Sequence, residues 1–181
     1  MDVEKLSVRQ RGLTLLEMLT GMAVALVLLS IGIPSWATFT QNNKIVAARN
    51  QMMSTLAHAR LAAVENGQFV TICPSSDQQT CHRDHLRWHE GYMTFIDNNS
   101  NRRRDAGERR LLAVAPPGNG IQIQTSSGRK SLRFNQQGST STNVTIRFCT
   151  GAGSKTVIVS ISGRARLFDT MSDGSPVTCS T

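Results

Sequence analysis

A chain of 181 residues is long enough for one globular domain beside a membrane span. Its 20 Lys and Arg against 12 Asp and Glu leave a formal charge of +8, which suits an anionic partner (nucleic acid, phospholipid or acidic polysaccharide) and equally serves plain solubility. The sequence holds no G-x-S-x-G elbow, H-E-x-x-H pair, P-loop or Gly-rich dinucleotide fingerprint. It is therefore read as a non-enzyme, with no catalytic residue and no cofactor.

Lys5, Arg9 and Arg11 precede an almost wholly apolar run over 13–33. Its 21 residues match the ~20 that cross a bilayer as a helix. A single span in lipid must satisfy its own backbone, so helix is the conformation it requires. The basic residues ahead of it predict a cytoplasmic N-terminus and an outward C-terminus. The run is too long for a signal-peptide core of roughly 7–15 residues, and no A-x-A-like site follows. A plain signal anchor leaves Glu17 unexplained, because an ionised carboxyl inside a span is costly and functional by default. Pro34 removes a helix hydrogen bond just past the run and should kink or loosen the helix there.

Gly12-Leu13-Thr14-Leu15-Leu16-Glu17, the apolar run and Pro34 together resemble the N-terminal signal of type IV prepilins and pseudopilins. The resemblance implies that a prepilin peptidase cuts between Gly12 and Leu13 and that the new amine on Leu13 is N-methylated. It also implies that Glu17 and Pro34 serve filament assembly, Glu17 pairing with a neighbouring subunit's amine. On that reading 1–12 is a leader, 13–39 a transmembrane and filament-core helix, and 40–181 a periplasmic head. Losing three basic and two acidic residues with the leader leaves 17 Lys and Arg against 10 Asp and Glu, a charge of +7.

Residues 39–66 should carry the helix beyond the membrane. Ile45, Ala48, Met52, Leu56, Ala59 and Ala63 recur at three- and four-residue spacing and form one apolar stripe. Lys44, Arg49, His58, Arg60 and Glu65 fall off it, and Asn66-Gly67 is a helix stop. At 1.5 Å per residue, 13–66 would make a rod of about 80 Å, consistent with the lollipop shape that the resemblance implies.

From residue 67 the pattern changes to short β-rich runs: 69–72 ending at Cys73-Pro74, then 91–96, 109–114, 121–124, 131–134, 144–149, 157–161 and 164–168. Pro116-Pro117-Gly118-Asn119-Gly120 is a turn, and 139–143 is a polar loop. Seven or eight short strands after one long helix predict an α+β fold, with one or two antiparallel sheets packed on the helix stripe. Leu56-Ala57-His58-Ala59-Arg60-Leu61-Ala62-Ala63, Val70-Thr71-Ile72-Cys73, the stretch from Trp88 to Asn99 and Ile161-Ser162-Gly163-Arg164 resemble the FimT/GspH group. That group contains minor pilins of type IV pili and the H-type minor pseudopilin of type II secretion. The resemblance implies an inner-membrane protein that assembles with other minor and major pilins or pseudopilins.

Gly163-Arg164-Ala165-Arg166 is the leading functional candidate. Strand residues two apart share a face about 6.5–7 Å apart. Arg164 and Arg166 should point together, with Ala165 and Leu167 toward the core. Paired guanidiniums suit phosphate contacts, and G-R-x-R here resembles the DNA-binding motif of FimT-type pilins used in DNA uptake. The alternative is two solvated arginines on an exposed strand. Arg102, Arg103 and Arg104, followed by Arg109-Arg110, form a second basic cluster, and Arg129-Lys130 a third. These are ordinary solvated loops unless they share a face with Arg164 and Arg166, in which case double-stranded DNA is the natural partner, since stacking aromatics are scarce.

Asp97, Asn99, Asn101, Asp105 and Glu108 have calcium-loop spacing, but Arg102 stands where glycine is needed and three arginines repel a cation. A turn of Asx side chains is simpler. Cys73, Cys81, His82, His85 and His89 have zinc-ligand chemistry, yet cysteines on the outward side of a membrane favour disulfides. No metal is assigned. Four cysteines allow three pairings; Cys73–Cys81, closing a short loop, with Cys149–Cys179, holding the C-terminal tail, is the simplest. The functional expectation is a minor type IV pilin that contacts DNA. A type II secretion pseudopilin acting in pseudopilus initiation is the alternative.

Overall fold

The computed structural model describes residues 14–118, 120–151 and 153–179. The expected cleavage point at Gly12 and Leu13 lies outside them. The chain divides into two compact units, one ending at Phe39 and one beginning at Thr40. Helix α1 (Leu15–Asn66) supplies the first and opens the second.

In the first unit the helix starts on a cap. The Glu17 N–H donates to Thr14 Oγ1 at 3.2 Å, and Glu17 is an acid in the first turn, where the helix dipole favours negative charge. Leu16, Leu26, Leu29, Ile33 and Phe39 are all more than half exposed. A helix that is apolar all round is stable in lipid or among other helices rather than in water. By length and composition, this stretch of α1 is able to cross a membrane. The helix continues through Pro34; one missing N–H removes one bond from the ladder without ending it.

The second unit holds the core. Ile45, Ala48, Met52, Leu56, Ala59 and Ala63 are all buried, and Thr55 and Ala62 widen their stripe. The stripe is rich in alanine, so the backbone of α1 can lie close to the sheets. The helix closes with the Gly67 N–H on Val64 C=O and the Gln68 N–H on Ala63 C=O, both at 3.3 Å, and with Gly67 at φ 61. That is a Schellman closure, which requires the left-handed conformation glycine adopts most easily.

Among the described residues there are eight strands: β1 (Val70–Pro74), β2 (Tyr92–Ile96), β3 (Arg110–Val114), β4 (Gln122–Thr125), β5 (Leu132–Phe134), β6 (Val144–Thr150), β7 (Gly153–Val159) and β8 (Ala165–Phe168). They form two antiparallel four-stranded sheets, ordered β3-β2-β1-β5 and β4-β6-β7-β8. Val70, Ile72, Tyr92, Ile123, Phe134, Ile146, Phe148 and Val157 join the helix stripe in one core. Strands β1 and β2 are buried at every position. Their second face carries Cys73, Met93 and Phe95, packed with Cys81 and Ala113.

The alternation of apolar residues predicts a strand over 157–161, but β7 is Gly153–Val159. Pairing sets its start: Gly153 to Thr156 lie opposite Thr150 to Arg147 of β6. It stops where Ser160 opens a turn. Disulfides join Cys73 to Cys81 and Cys149 to Cys179. The second fastens the C-terminal tail, which is also held by Ser154 Oγ on Val177 C=O at 3.0 Å and Arg147 Nη1 on Thr178 C=O at 3.1 Å.

Candidate anion-binding site

The β7–β8 connection is a short turn. Gly163 N–H donates to Ser160 C=O at 2.8 Å, and Ser160 N–H donates to Arg164 C=O at 3.0 Å. Gly163 sits at φ +74 and is buried. A glycine in the left-handed region is what a three-residue hairpin loop of this kind asks for. It is required twice over, because a Cβ there would run into the Gly138 carbonyl. That carbonyl accepts from Arg60 Nε of α1 at 3.0 Å. Thr140 N–H donates to Ile161 C=O at 2.8 Å, and Ile161 N–H donates to Asn143 Oδ1 at 2.9 Å. The Ser-Gly-Arg stretch is thus docked by residues from α1 and from the loop after β5.

On this fixed base Arg164 and Arg166 line one cleft of about 550 Å³, with Ile158, Ser160, Phe168 and the tail residue Met171 among its walls. Both arginines are exposed. Among the described residues neither has an ion pair or a side-chain hydrogen bond. The neighbouring acid, Asp169, is engaged elsewhere: Lys155 Nζ lies at 2.9 Å and Arg49 Nη1 at 3.2 Å. Those contacts, the Lys155 bond foremost, hold its carboxyl below the usual carboxylate range. The cleft therefore presents two guanidiniums without an acid of its own, a geometry that can accept phosphate oxygens.

One expectation here needs correcting. Ala165 and Leu167 oppose Val159 and Val157 and so share the core side of the sheet. Ala165 packs against the core, but Leu167 is 43% exposed. β8 is the edge strand, and the core has thinned out at its far end.

The second basic cluster is dispersed by its loop. The Asp97 carboxylate is fully buried; its Oδ2 accepts from Thr71 Oγ1 at 2.7 Å and from the Arg102 N–H at 3.2 Å. Glu108 accepts the Asn98 and Asp105 N–H groups, and Asp105 accepts both the Asn99 and Asn101 amides. Asp105 and Glu108 are thus engaged within the loop, while Asp97 is held through Oδ2 by Thr71 of β1 and Arg102, its buried Oδ1 having no hydrogen-bond partner among the described residues. Among the described residues no group of three or more His, Cys, Asp or Glu is placed to hold a metal. Arg102 Nη2 reaches Ser141 Oγ at 3.3 Å, whereas Arg104 Nη1 reaches Gln79 C=O at 3.4 Å and Arg110 Nη1 reaches Gln78 C=O at 2.6 Å. Arg102 thus turns toward the loop that docks the Arg164 turn. Arg104 and Arg110 hold the disulfide loop. Arg103 has no side-chain partner among the described residues.

Sequence reading passed over Gly138, Thr140, Asn143 and Arg60. The only local signal was a polar loop, because their role is set by a contact more than twenty residues away along the chain for Gly138 and Gly163.

The family model described as "Type II transport protein GspH" matches residues 48–163. The match thus takes in the docked glycine and ends one residue before Arg164. The pilin-like protein PilA1 of Thermus thermophilus is 28% identical over 167 residues, covering 87% of this chain and 98% of that protein. The crystal structure of the Pseudomonas aeruginosa type IV minor pilin FimU superposes with a TM-score of 0.54 at 18% identity, covering 72% of this chain and 92% of that one. At that identity the likeness is one of fold: a long N-terminal helix packed on antiparallel sheets. The minor pseudopilin EpsH of the Vibrio cholerae type 2 secretion system gives a TM-score of 0.49 at 12% identity over 70% of this chain and 97% of that one, too low to add to it.

Proposed function

This chain belongs to the GspH family of pilin-like proteins, and on that premise we propose that it is a minor type IV pilin whose head contacts duplex DNA through Arg164 and Arg166. Family membership implies assembly with other pilins or pseudopilins. The apolar helix and the family together fit an inner-membrane protein that enters a filament. In our reading the prepilin peptidase removes 1–12, Leu13 is methylated, residues 13–39 span the membrane with the head in the periplasm, and Glu17 and Pro34 then serve filament packing.

The observation that carries the DNA reading is the cleft with two unpaired arginines on a turn docked at Gly163. Backbone phosphates give affinity without sequence preference, and a contact of that kind weakens steeply with salt. Arg102 and Arg104 spend part of their capacity on the fold, so their share, with that of Arg103, is secondary. Among the described residues, all the buried core residues lie from Ile45 onward, so the head from Thr40 is a self-contained unit for testing. Titrated with duplexes of unrelated sequence, the oxidised head should bind each similarly. Arg164→Ala, Arg166→Ala together should weaken binding and lower the slope of log K against log salt by about 2.

The second reading is a type II secretion pseudopilin acting in pseudopilus initiation. It is favoured by the family description and by a family match that stops short of Arg164. Absence of DNA binding at low salt would leave filament priming, in a pilus or in secretion, as the function.

A further inference from the structure

Three basic residues far apart in sequence line one hollow of the head. Cys81 is tied to Cys73, and His82 N–H donates to Pro74 C=O at 2.8 Å, so Arg83 emerges beside the end of β1. Arg102 is held at φ 61 in the β2–β3 loop by its N–H on Asp97. Lys130 follows the turn in which Arg129 N–H donates to Ser126 C=O at 3.0 Å. His82, Arg83, Asn101, Arg102, Lys130 and Ser131 line one hollow of about 180 Å³. None of its lining residues is acidic.

Arg102 is also crowded by basic groups outside the hollow. The Arg102 guanidinium is partly desolvated, and Arg133 and Arg129 repel it, so its pKa is pushed down; Asp97 offsets this only in part. Asp97 is itself shared with Arg133, 3.9 Å away. Like charges gathered around a polar hollow cost stability when nothing sits between them and are relieved by an anion. Arg102 has five N–H donors, one of them on Ser141 Oγ, and Lys130 has three; the Ser131 hydroxyl and the Asn101 amide N–H not taken by Asp105 add neutral donors. That set suits a group with several acceptor oxygens pointing in different directions.

We propose that the hollow formed by Arg83, Arg102 and Lys130 binds a single tetrahedral oxyanion of the phosphate type. It shares no residue with the cleft of Arg164 and Arg166 and stands whether or not that cleft takes DNA. Free inorganic phosphate and the phosphate of a nucleic-acid backbone offer the same chemistry, and a duplex seated on the head distinguishes them.

The test uses the full, oxidised, isotope-labelled chain in non-ionic detergent, titrated with sodium phosphate at constant ionic strength set by chloride. Amide signals of Asn101, Gly128 and Ser131 should shift and saturate. Arg83→Gln with Lys130→Gln should weaken this by about tenfold or more; both side chains are exposed, so the fold should hold, which unchanged signals from the core would verify. Arg164→Ala with Arg166→Ala should leave it unchanged. Displacement of the phosphate by duplex would identify a backbone phosphate as the ligand, and retention would identify the free ion. Shifts that fail to saturate, or that persist in the Arg83 and Lys130 variant, overturn the proposal.

Discussion

Tyr92 is the one tyrosine of the chain, which makes its environment directly measurable. It is 2% exposed, with its ring 6.2 Å from that of Trp88. Burial pushes its pKa up to about 12, and a hydrogen bond with Thr55 on the helix stripe opposes this slightly. The neutral phenol is the form the fold holds, so the unfolded chain gives up its proton first. Stability from this group is complete below about pH 10 and falls as pH rises from 10 toward 12. An ultraviolet titration should show no tyrosinate in the native protein at pH 10.5 and half-ionised tyrosine near the ordinary value of about 10 in denaturant. A native titration at that ordinary value would mean Tyr92 is not buried. The pairing of Tyr92 with Thr55 was hidden in the sequence: an apolar–aromatic strand announces a buried ring, but not the hydroxyl that its phenol finds.

At the scale of elements, glycines with the same backbone sign do different work. Gly67 and Gly163 both have positive φ, but nothing lies within 4 Å of a Cβ at Gly67, whereas one at Gly163 meets the Gly138 carbonyl. Gly67→Ala should therefore cost only about 1 kcal/mol, the conformational term. Gly163→Ala should add overpacking and cost about 2–4 kcal/mol, read as the difference in denaturant midpoints. Equal costs would show that the turn is not docked as described. Helix α1 and most strand positions were legible from periodicity, because burial on one face leaves a repeat of 3.6 or 2 in the chain. Strand limits were less so: the polar start of β7 exists through its partner β6, and no local pattern encodes a partner.

The whole head is closed by its tail. Thr156 Oγ1 donates to Thr170 C=O at 2.7 Å, and the segment ends at the bond from Cys149 to Cys179, thirty residues apart. Tail residues Thr170, Met171, Ser172 and Gly174 also wall the arginine cleft. Cys149→Ser with Cys179→Ser should lower stability by about 3.6 kcal/mol, the closure entropy of such a loop. Amide exchange should quicken over 170–179 while β6 and β7 stay protected. An unchanged tail would mean that its hydrogen bonds suffice to hold it.

What sequence alone carried were the features written in neighbouring residues: the apolar run, the helix stripe, the turn glycines and the α+β order. Each depends on local spacing, and local spacing survives in a string of letters. What depended on folding was which distant surfaces meet. Sheet order brings Gly138 against Gly163, spreads Arg102 and Arg104 to different loops, leaves Leu167 at an edge, and gathers Arg83, Arg102 and Lys130 around one hollow. Those meetings arise from long-range strand pairing and loop closure, and a residue's own neighbours in sequence carry no trace of them.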